Sequence, residues 1–323
     1  MNRILFTIAL AAISLLASCS KADRISNQME GQVTEVEFMV PEIDTKSTTE
    51  AAENAVRSLQ IFVFGADDKI EAYGQASNST RLSLTCTTGD KTIVALVNAT
   101  AQTGILRLSD LKGRKSDMSD NSSSNFVMEG KLSKKLTVNE TVTVPVSRVA
   151  AKVVLKSVST NFELEIYRNM EFKLTRVMLT NVVGNKTFLG QNVPEKWYNK
   201  QGASPNVQSL YCDAIDNVQV TSAIPYAIPH YLYCYPNPTE TDSSDATWCA
   251  RHTRLVVSAT LGGVVYHYPV TLPVLESNKQ YFVSLTVTRP GSYDIDVPIE
   301  KLDENVSITV TDWKTGGNVN ETI

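Results

Sequence analysis

Leu59-Gln-Ile-Phe-Val-Phe64 is apolar on nearly both faces of an extended chain. Aromatic and β-branched residues dominate it, and these residue types favour a strand over a helix. A short apolar run without polar alternation is typical of a strand whose two faces are both covered. The segment is therefore predicted to be a central strand of a sheet.

Outward from this segment, short runs with alternating apolar side chains recur in both directions. Gly, Asn, Asp and Pro separate many of them, as expected for turns. This spacing predicts an all-β fold of antiparallel β-sandwiches. The predicted strands are Val36 to Val40, Thr92 to Val97, Thr137 to Val146, Val149 to Val158, Phe172 to Val183, Tyr231 to Tyr235, Leu255 to Leu261, Val264 to Val270, Gln280 to Thr288 and Val306 to Val310.

Helix signals are few. Thr49 to Val56 contains helix formers, and Leu106 to Lys112 is predicted to form one or two turns with Ser109-Asp110 as a local cap. Ile43 to Asn54 and Lys112 to Asn125 are polar and lack an apolar period. Both are predicted to be mobile, the second as a flexible surface loop.

The N-terminus carries an export signal. Arg3 precedes an apolar run from Ile4 to Leu16, which is too short to span a bilayer comfortably. Leu16-Ala17-Ser18-Cys19 follows, with small residues before a cysteine that can take a diacylglycerol. Residues 1–18 are thus predicted to be a lipoprotein signal peptide and Cys19 the lipidated residue. An ordinary signal peptide with an incidental cysteine is the alternative.

Length and net charge limit the possible domain number and partners of the rest of the chain. The roughly 300 residues that remain after the signal peptide suit two domains. A weak boundary is predicted near Ser147-Arg148, where one run of alternating valines ends and another begins. A net charge of -4 and a pI near 5.5, without a basic stripe, give no reason to expect nucleic acid as a partner.

Four further cysteines are too few for a disulfide scaffold of this length. Cys86 shares a face with two leucines and is predicted to be a buried thiol in a strand. Cys234 and Cys249 bracket a polar loop, so a disulfide between them is plausible. Cys212 competes for either partner.

No catalytic set emerges, so the chain is not predicted to be an enzyme or to bind a cofactor. Cys249 and His252 have metal-like spacing, but no second pair accompanies them, and no metal site is predicted. Tyrosines 226, 231, 233 and 235 offer a sugar- or peptide-binding surface, although a tyrosine-rich strand is the preferred interpretation.

The order of these signals resembles the fimbrillins, the lipoprotein-derived (type V) pilins of Gram-negative bacteria. The lipobox stands first and the Trp-containing tail last, and the matching pieces follow one another along nearly the whole chain. They are Arg57 to Phe64, Thr92-Ile-Val-Ala-Leu-Val-Asn98-Ala, Ser147-Arg-Val-Ala-Ala-Lys-Val153, Tyr231-Leu-Tyr-Cys-Tyr-Pro-Asn237, Leu275-Glu-Ser-Asn278-Lys-Gln-Tyr281 and Ile308-Thr-Val-Thr-Asp-Trp313.

The resemblance implies two transthyretin-like antiparallel β-sandwich domains, residues 47–147 and 148–323, behind a lipidated propeptide of residues 19–46. It also implies a lipidated precursor at the outer membrane and an extracellular fimbrium afterwards. A surface protease removes the first strand, and the groove that remains accepts a strand from another subunit. The implied partners are other copies of the chain, related fimbrial subunits and a trypsin-like surface protease; a receptor on a host or bacterial surface is not specified.

Two sites follow from the resemblance. Cleavage is expected in the polar linker, preferably between Lys46 and Ser47, with Arg57-Ser58 as the alternative. The family's usual residue at this place is arginine, so lysine is a departure. The donor strand is expected at the C-terminal end of the chain, formed by Val306, Ile308, Val310 and Trp313.

Three roles compete. The chain is a polymerising stalk subunit, an anchor or tip subunit of the same fimbria, or a surface glycan-binding lipoprotein. The sequence favours the stalk, because it carries both a candidate cleavage site and a candidate donor strand, without an evident extra adhesive domain.

Overall fold

The computed structural model of the chain describes residues 31–41, 48–200, 208–242, 250–297 and 305–313. Three predicted positions lie outside these residues: the lipidation site Cys19, the Lys46-Ser47 bond and Cys249. Among the residues described, no helix is long and apolar enough to cross a membrane.

Two sheets form the N-terminal part of the molecule. The smaller contains β1 (Val33–Met39), β4 (Arg81–Thr87) and β8 (Thr141–Thr143), with β1 in the middle. The larger contains β2 (Ser58–Phe64), β3 (Ile70–Ser77), β5 (Gly89–Val97), β7 (Met128–Leu136) and β9 (Ser147–Arg148). Its strand order is β3-β2-β5-β7-β9.

These two sheets pack face to face over a closed apolar core. Val36 and Phe38 of β1 meet Ile61 of β2 and Ile93 of β5 there. The opposite face of the larger sheet is also covered, because Phe62 and Phe64 join a second, larger core. The prediction that residues 59–64 form a central strand covered on both faces is therefore confirmed.

The C-terminal part is a second pair of four-stranded sheets, packed over the larger core. One has the order β16-β10-β19-β20 and the other β15-β11-β17-β18. In chain order these strands are β10 (Ala151–Thr160), β11 (Phe172–Thr180), β15 (Cys212–Gln219), β16 (His230–Cys234), β17 (Arg254–Leu261), β18 (Val264–Thr271), β19 (Lys279–Val287) and β20 (Val306–Asp312).

Short elements complete the described chain. The helices are α1 (Thr48–Asn54), α2 (Leu108–Lys112) and α3 (Glu165–Arg168). Residues 48–54 of the region predicted to be mobile thus form a helix, in which Glu53 and Asn54 are buried. Two small sheets pair β12 (Val182–Val183) with β14 (Trp197–Tyr198) and β6 (Lys115–Asp117) with β13 (Asn185–Thr187). The predicted all-β fold of mainly antiparallel sandwiches is confirmed, with parallel pairing between β1 and β8 and between β10 and β19.

The predicted turn near Leu106 is confirmed as α2. The Asp110 carboxylate accepts hydrogen bonds from the backbone nitrogens of Leu106 and Arg107, at 2.9 and 2.8 Å, and so caps the helix start. The strand predicted over Thr137 to Val146 is wrong in extent, since only Thr141–Thr143 is a strand there. Strands β3, β7 and β15 were not predicted, because their inward faces carry few large apolar residues.

The loop predicted over Lys112 to Asn125 is not a loose surface segment. It contains β6 and a turn of 3-10 helix, and Ser116, Met118 and Asn121 are buried. The hydroxyl of Tyr235 explains this order, because it lies 2.6 Å from Ser116 Oγ and accepts a hydrogen bond of 2.7 Å from Asn121 Nδ2. Amino-acid composition alone cannot predict that a residue distant in sequence will form hydrogen bonds with these polar side chains.

Candidate assembly site

The first described strand, β1, lies in the centre of its sheet. It pairs antiparallel with β4 from Val33 opposite Thr87 to Met39 opposite Arg81, and parallel with β8 on its other edge. The side chains of Val36, Phe38 and Val40 point into the core and are fully buried. Since successive strand residues alternate between faces, Glu35 and Glu37 point outward.

We call the site that β1 fills between β4 and β8 the groove. Leu82 and Leu84 of β4 and Val142 and Val144 at β8 line its sides. Ile61 and Ile93 of the facing sheet form part of its floor. Cys86 also lies in this core, opposite Thr34 of β1. Burial raises the pKa of the Cys86 thiol to about 11, and the nearby Glu71 carboxylate adds to the rise.

The alternative cleavage bond, Arg57-Ser58, is held in structure. The side-chain oxygen of Asn98 accepts hydrogen bonds from the backbone nitrogens of Arg57 and Ser58, at 2.8 and 3.2 Å. The Arg57 carbonyl accepts another, of 2.8 Å, from the Asn78 backbone nitrogen. A protease needs an accessible, extended segment, so these bonds oppose cleavage here.

The C-terminal strand β20 is an edge strand of its own subunit. Among the described residues it pairs only with β19, antiparallel, with Ile308 opposite Val283 and Val310 opposite Tyr281. Val306 and Ile308 are half-buried, whereas Val310 is 46% exposed. The four predicted donor residues thus lie together at one end of the described chain, but Val306, Ile308 and Val310 are paired inside their own sheet.

Trp313 differs from the rest of this segment because it is almost fully buried, at 2% exposure. Its ring packs edge-on against Phe126 and stacks on Tyr233, with centroid separations of 5.2 and 5.7 Å. The guanidinium carbon of Arg148 lies 4.5 Å from the ring centroid, in cation–π geometry. Both sandwiches therefore contribute to the pocket that holds this one side chain.

A buried carboxylate completes the pocket. Glu53 of α1 has no exposed surface, and its Oε2 accepts a 3.0 Å hydrogen bond from Trp313 Nε1. Its Oε1 lies 2.7 Å from Lys152 Nζ and accepts a 2.6 Å hydrogen bond from the Tyr233 hydroxyl. Burial, reinforced by the negative charge of Glu53, raises the pKa of Tyr233, so the hydroxyl keeps its proton and remains a donor.

Arg148 ties the same pocket to the backbone. Its Nη1 donates to the Trp313 carbonyl at 3.1 Å, and its Nε donates to the Glu53 carbonyl at 3.3 Å. Sequence reasoning missed Glu53, Lys152 and Arg148 as site residues. Two cations four positions apart in the apolar Ser147 to Val153 run were the available signal, because buried cations require an acidic partner.

The remaining candidate site residues are mostly buried in the fold or lie outside the described residues. Of the tyrosines weighed as a sugar-binding surface, only Tyr231 is substantially exposed; Tyr226, Tyr233 and Tyr235 are buried. Cys234 is fully buried, and its predicted disulfide partner Cys249 is outside the described residues, so that bridge stays a prediction. Within the described ranges, no group of three His, Cys, Asp or Glu side chains has the geometry of a metal site.

Comparison with known proteins gives a consistent result. Residues 42–176 match the family model of the major fimbrial subunit protein (FimA). A crystal structure of a fimbrilin (FimA) from Porphyromonas gingivalis has 14% identity, covers 90% of this chain and 100% of that chain, and gives a TM-score of 0.62. The tip fimbrial protein Mfa3 from the same organism, with a C-terminal truncation, also has 14% identity, covers 87% of this chain and 100% of that chain, and gives a TM-score of 0.56.

A search of curated protein sequences finds no match. At these identities the solved structures establish a shared fold, while the family model adds a match in sequence. The predicted resemblance to the fimbrillins is therefore confirmed, by sequence over residues 42–176 and by fold over most of the chain.

Proposed function

We propose that this chain is a stalk subunit of a bacterial fimbrium, exported as a lipoprotein through Cys19, trimmed by a protease and polymerised by donor-strand exchange. The family match and the shared fold support a structural, non-enzymatic fimbrial protein. The lipid places the precursor at the outer membrane, and trimming transfers the subunit to an extracellular fimbrium that supports adhesion.

The central position of β1 is the observation that carries the proposal. Removal of an edge strand would expose few unpaired backbone groups. In contrast, β1 separates β4 from β8, and the segment from Val36 to Val40 buries three side chains completely. Its loss leaves two unpaired strand edges above an open core. Unpaired edges of this kind accept a strand from another chain, and backbone hydrogen bonds then join the partners.

The C-terminal strand is the proposed donor. Its apolar residues Val306, Ile308 and Val310 have the same two-residue spacing as Val36 and Phe38 of β1 and Val40 directly after it. Full burial of each such side chain contributes roughly 1.5–3 kcal/mol, and each backbone hydrogen bond adds about 0.5–1.5 kcal/mol. A strand given to the next subunit is a heterologous contact that does not close, so repetition yields a fibre.

The preferred cleavage bond is Lys46-Ser47. The hydrogen bonds at Arg57 and Ser58 oppose cleavage at the alternative bond, whereas a cut after Lys46 would remove all of β1 and leave α1 in the subunit. A trypsin-like protease cuts after either residue type. Trypsin is therefore a suitable laboratory substitute for the surface enzyme.

The test is electron microscopy of the full-length protein before and after controlled trypsin trimming, with N-terminal sequencing of the assembled material. We expect fibres only after trimming, with a new N-terminus at Ser47. Lys46→Gln should block both trimming and fibres, and Arg57→Gln is the matched control that should block neither.

Other outcomes assign the competing roles. Polymers that retain Cys19 as their N-terminus would contradict the stalk role and favour an anchor. A start at Ser58 would move the cleavage site to the alternative bond. Absence of any polymer, together with sugar binding by the trimmed monomer, would favour a glycan-binding lipoprotein.

A further inference from the structure

The buried pocket at Trp313 joins three distant segments of the chain. Glu53 belongs to α1, which follows the proposed cleavage bond; Arg148 and Lys152 lie where the chain passes from one sandwich to the other; Trp313 ends the C-terminal strand. Together with Tyr233, we call these five residues the clasp. The clasp thus connects the proposed processing segment directly to the proposed donor strand.

The clasp is the buried attachment of the C-terminal strand to its own subunit, in addition to the antiparallel pairing of β20 with β19. From Asn305 to Asp312 every side chain is half-buried or exposed, and Trp313 alone is buried. The outward face of β20 carries an exposed ion pair between Lys279 Nζ and Asp312 Oδ1, at 2.7 Å. Exposed pairs of this kind contribute little. Beyond the pairing with β19 and the partial packing of Val306 and Ile308, the strand is therefore fixed by Trp313 at its end.

Withdrawal of Trp313 would be costly because of Glu53. The carboxylate has three partners in the pocket: the ammonium of Lys152, the hydroxyl of Tyr233 and the indole nitrogen of Trp313. A buried charge that loses a donor is poorly compensated, and the indole leaves an apolar site between Phe126 and Tyr233. Charge compensation and ring packing therefore oppose release together.

We propose that the clasp keeps the C-terminal strand on its own subunit after trimming, so that release of Trp313 from Glu53 is a separate step of polymerisation. This inference rests on the proposed function. A cut at Lys46-Ser47 leaves Glu53 in the subunit and the clasp intact, whereas a cut at Arg57-Ser58 would remove Glu53 with the propeptide. The position of the cut therefore decides whether trimming also frees the strand.

The first measurement is hydrogen–deuterium exchange of the untrimmed, full-length protein, which does not depend on polymerisation. Glu53→Gln keeps the side-chain shape but removes the charge that pairs with Lys152. We expect the amides of Val306 to Trp313 to exchange about tenfold faster or more, while those of β2 and β5 keep their protection. Glu163→Gln is the matched control, because this exposed carboxylate pairs only with Arg289 at the surface in the described structure.

A second variant guards against misfolding. Trp313→Phe keeps an aromatic ring in the pocket but removes the indole donor to Glu53 and part of the ring volume. It should also accelerate exchange of the C-terminal strand, by a smaller factor than Glu53→Gln. Unchanged exchange in the better folded of the two variants would overturn the clasp.

The last measurement follows polymerisation by light scattering after trypsin trimming. Glu53→Gln should shorten the lag, and Glu163→Gln should not. Faster exchange with an unchanged lag would show that release of Trp313 is not a limiting step and would refute that part of the proposal. If the trimmed wild type formed no fibres, the proposed function would fail, while the exchange data would still decide whether the clasp holds the strand.

Discussion

The first and last strands of the described chain are held in opposite ways. Strand β1 has a partner on both edges and buries Val36, Phe38 and Val40 completely. Strand β20 has a partner on one edge, and the most exposed of its three apolar residues, Val310, is 46% exposed. Both strands share the same alternation of apolar and polar residues, so their different burial comes from position in the fold.

This difference would give the proposed strand exchange a direction. A donor strand that moves from an edge position to the centre of another sheet gains a second row of backbone hydrogen bonds and completes the burial of its apolar face. Each additional buried methylene contributes about 0.8 kcal/mol. The gain in the groove therefore exceeds the loss at the edge, except at Trp313, whose present site is already closed.

The largest effect is expected from a charge on the inward face of the donor. Ile308 is half-buried in its own sheet, so an aspartate there still reaches water in the monomer. In a groove that buries its occupant completely, the same carboxylate would be desolvated without a partner. Ile308→Asp should leave the circular dichroism of the monomer unchanged and abolish fibres in electron micrographs.

Thr309→Asp is the control for this experiment, because Thr309 lies on the exposed face of the same strand. It should polymerise nearly as the wild type does. Normal fibres from a folded Ile308→Asp variant would place the donor strand elsewhere in the chain.

A smaller and graded effect is expected from truncating one side chain in each strand. Phe38→Ala should destabilise the untrimmed protein by about 3–5 kcal/mol, because it opens a cavity in a closed core. Val310→Ala should cost no more than about 1 kcal/mol, since the residue is partly in solvent. Urea denaturation followed by circular dichroism measures both changes in the free energy of unfolding. Equal losses of stability would contradict the proposed difference between the strands.

Much of the fold could be predicted from alternation alone, and the particular failures are instructive. Leu59 to Phe64 was recognised because both of its faces are apolar. Strand β7, Met128–Leu136, was missed because Gly130 and Lys134 interrupt the apolar residues of its inward face, so the alternation is broken. Alternation identifies a strand but does not say whether it lies at the centre or at the edge of a sheet.

The candidate site could be predicted only in part. The proposed donor residues Val306 to Val310 follow from local alternation and the resemblance, and the structure places them in one strand. Glu53 does not, because a glutamate in a polar helical linker has no local feature that marks it as buried. Its partners lie 99 and 260 positions away, at Lys152 and Trp313, and only the folded chain brings them together.

The smallest effect is expected in an experiment that needs no mutation. Cys86 lies in the core beneath β1, so its reactivity reports whether a strand fills the groove. The thiolate is the reactive species, and a pKa of about 11 leaves only about one thiol in a thousand ionised at pH 8. Iodoacetamide should therefore label Cys86 slowly in the untrimmed protein. Trimming frees β1 to dissociate, which exposes Cys86 to water and returns its pKa toward the ordinary value near 8.5. Labelling should then accelerate, and it should slow again in fibres, where a donor strand covers the thiol.

Cys234 is the internal control, since it is buried in the other sandwich and should label slowly in all three states. Peptide mapping by mass spectrometry separates the two sites; equal Cys86 rates before and after trimming would mean that β1 stays in place, and rapid labelling in fibres would mean that no strand takes its position.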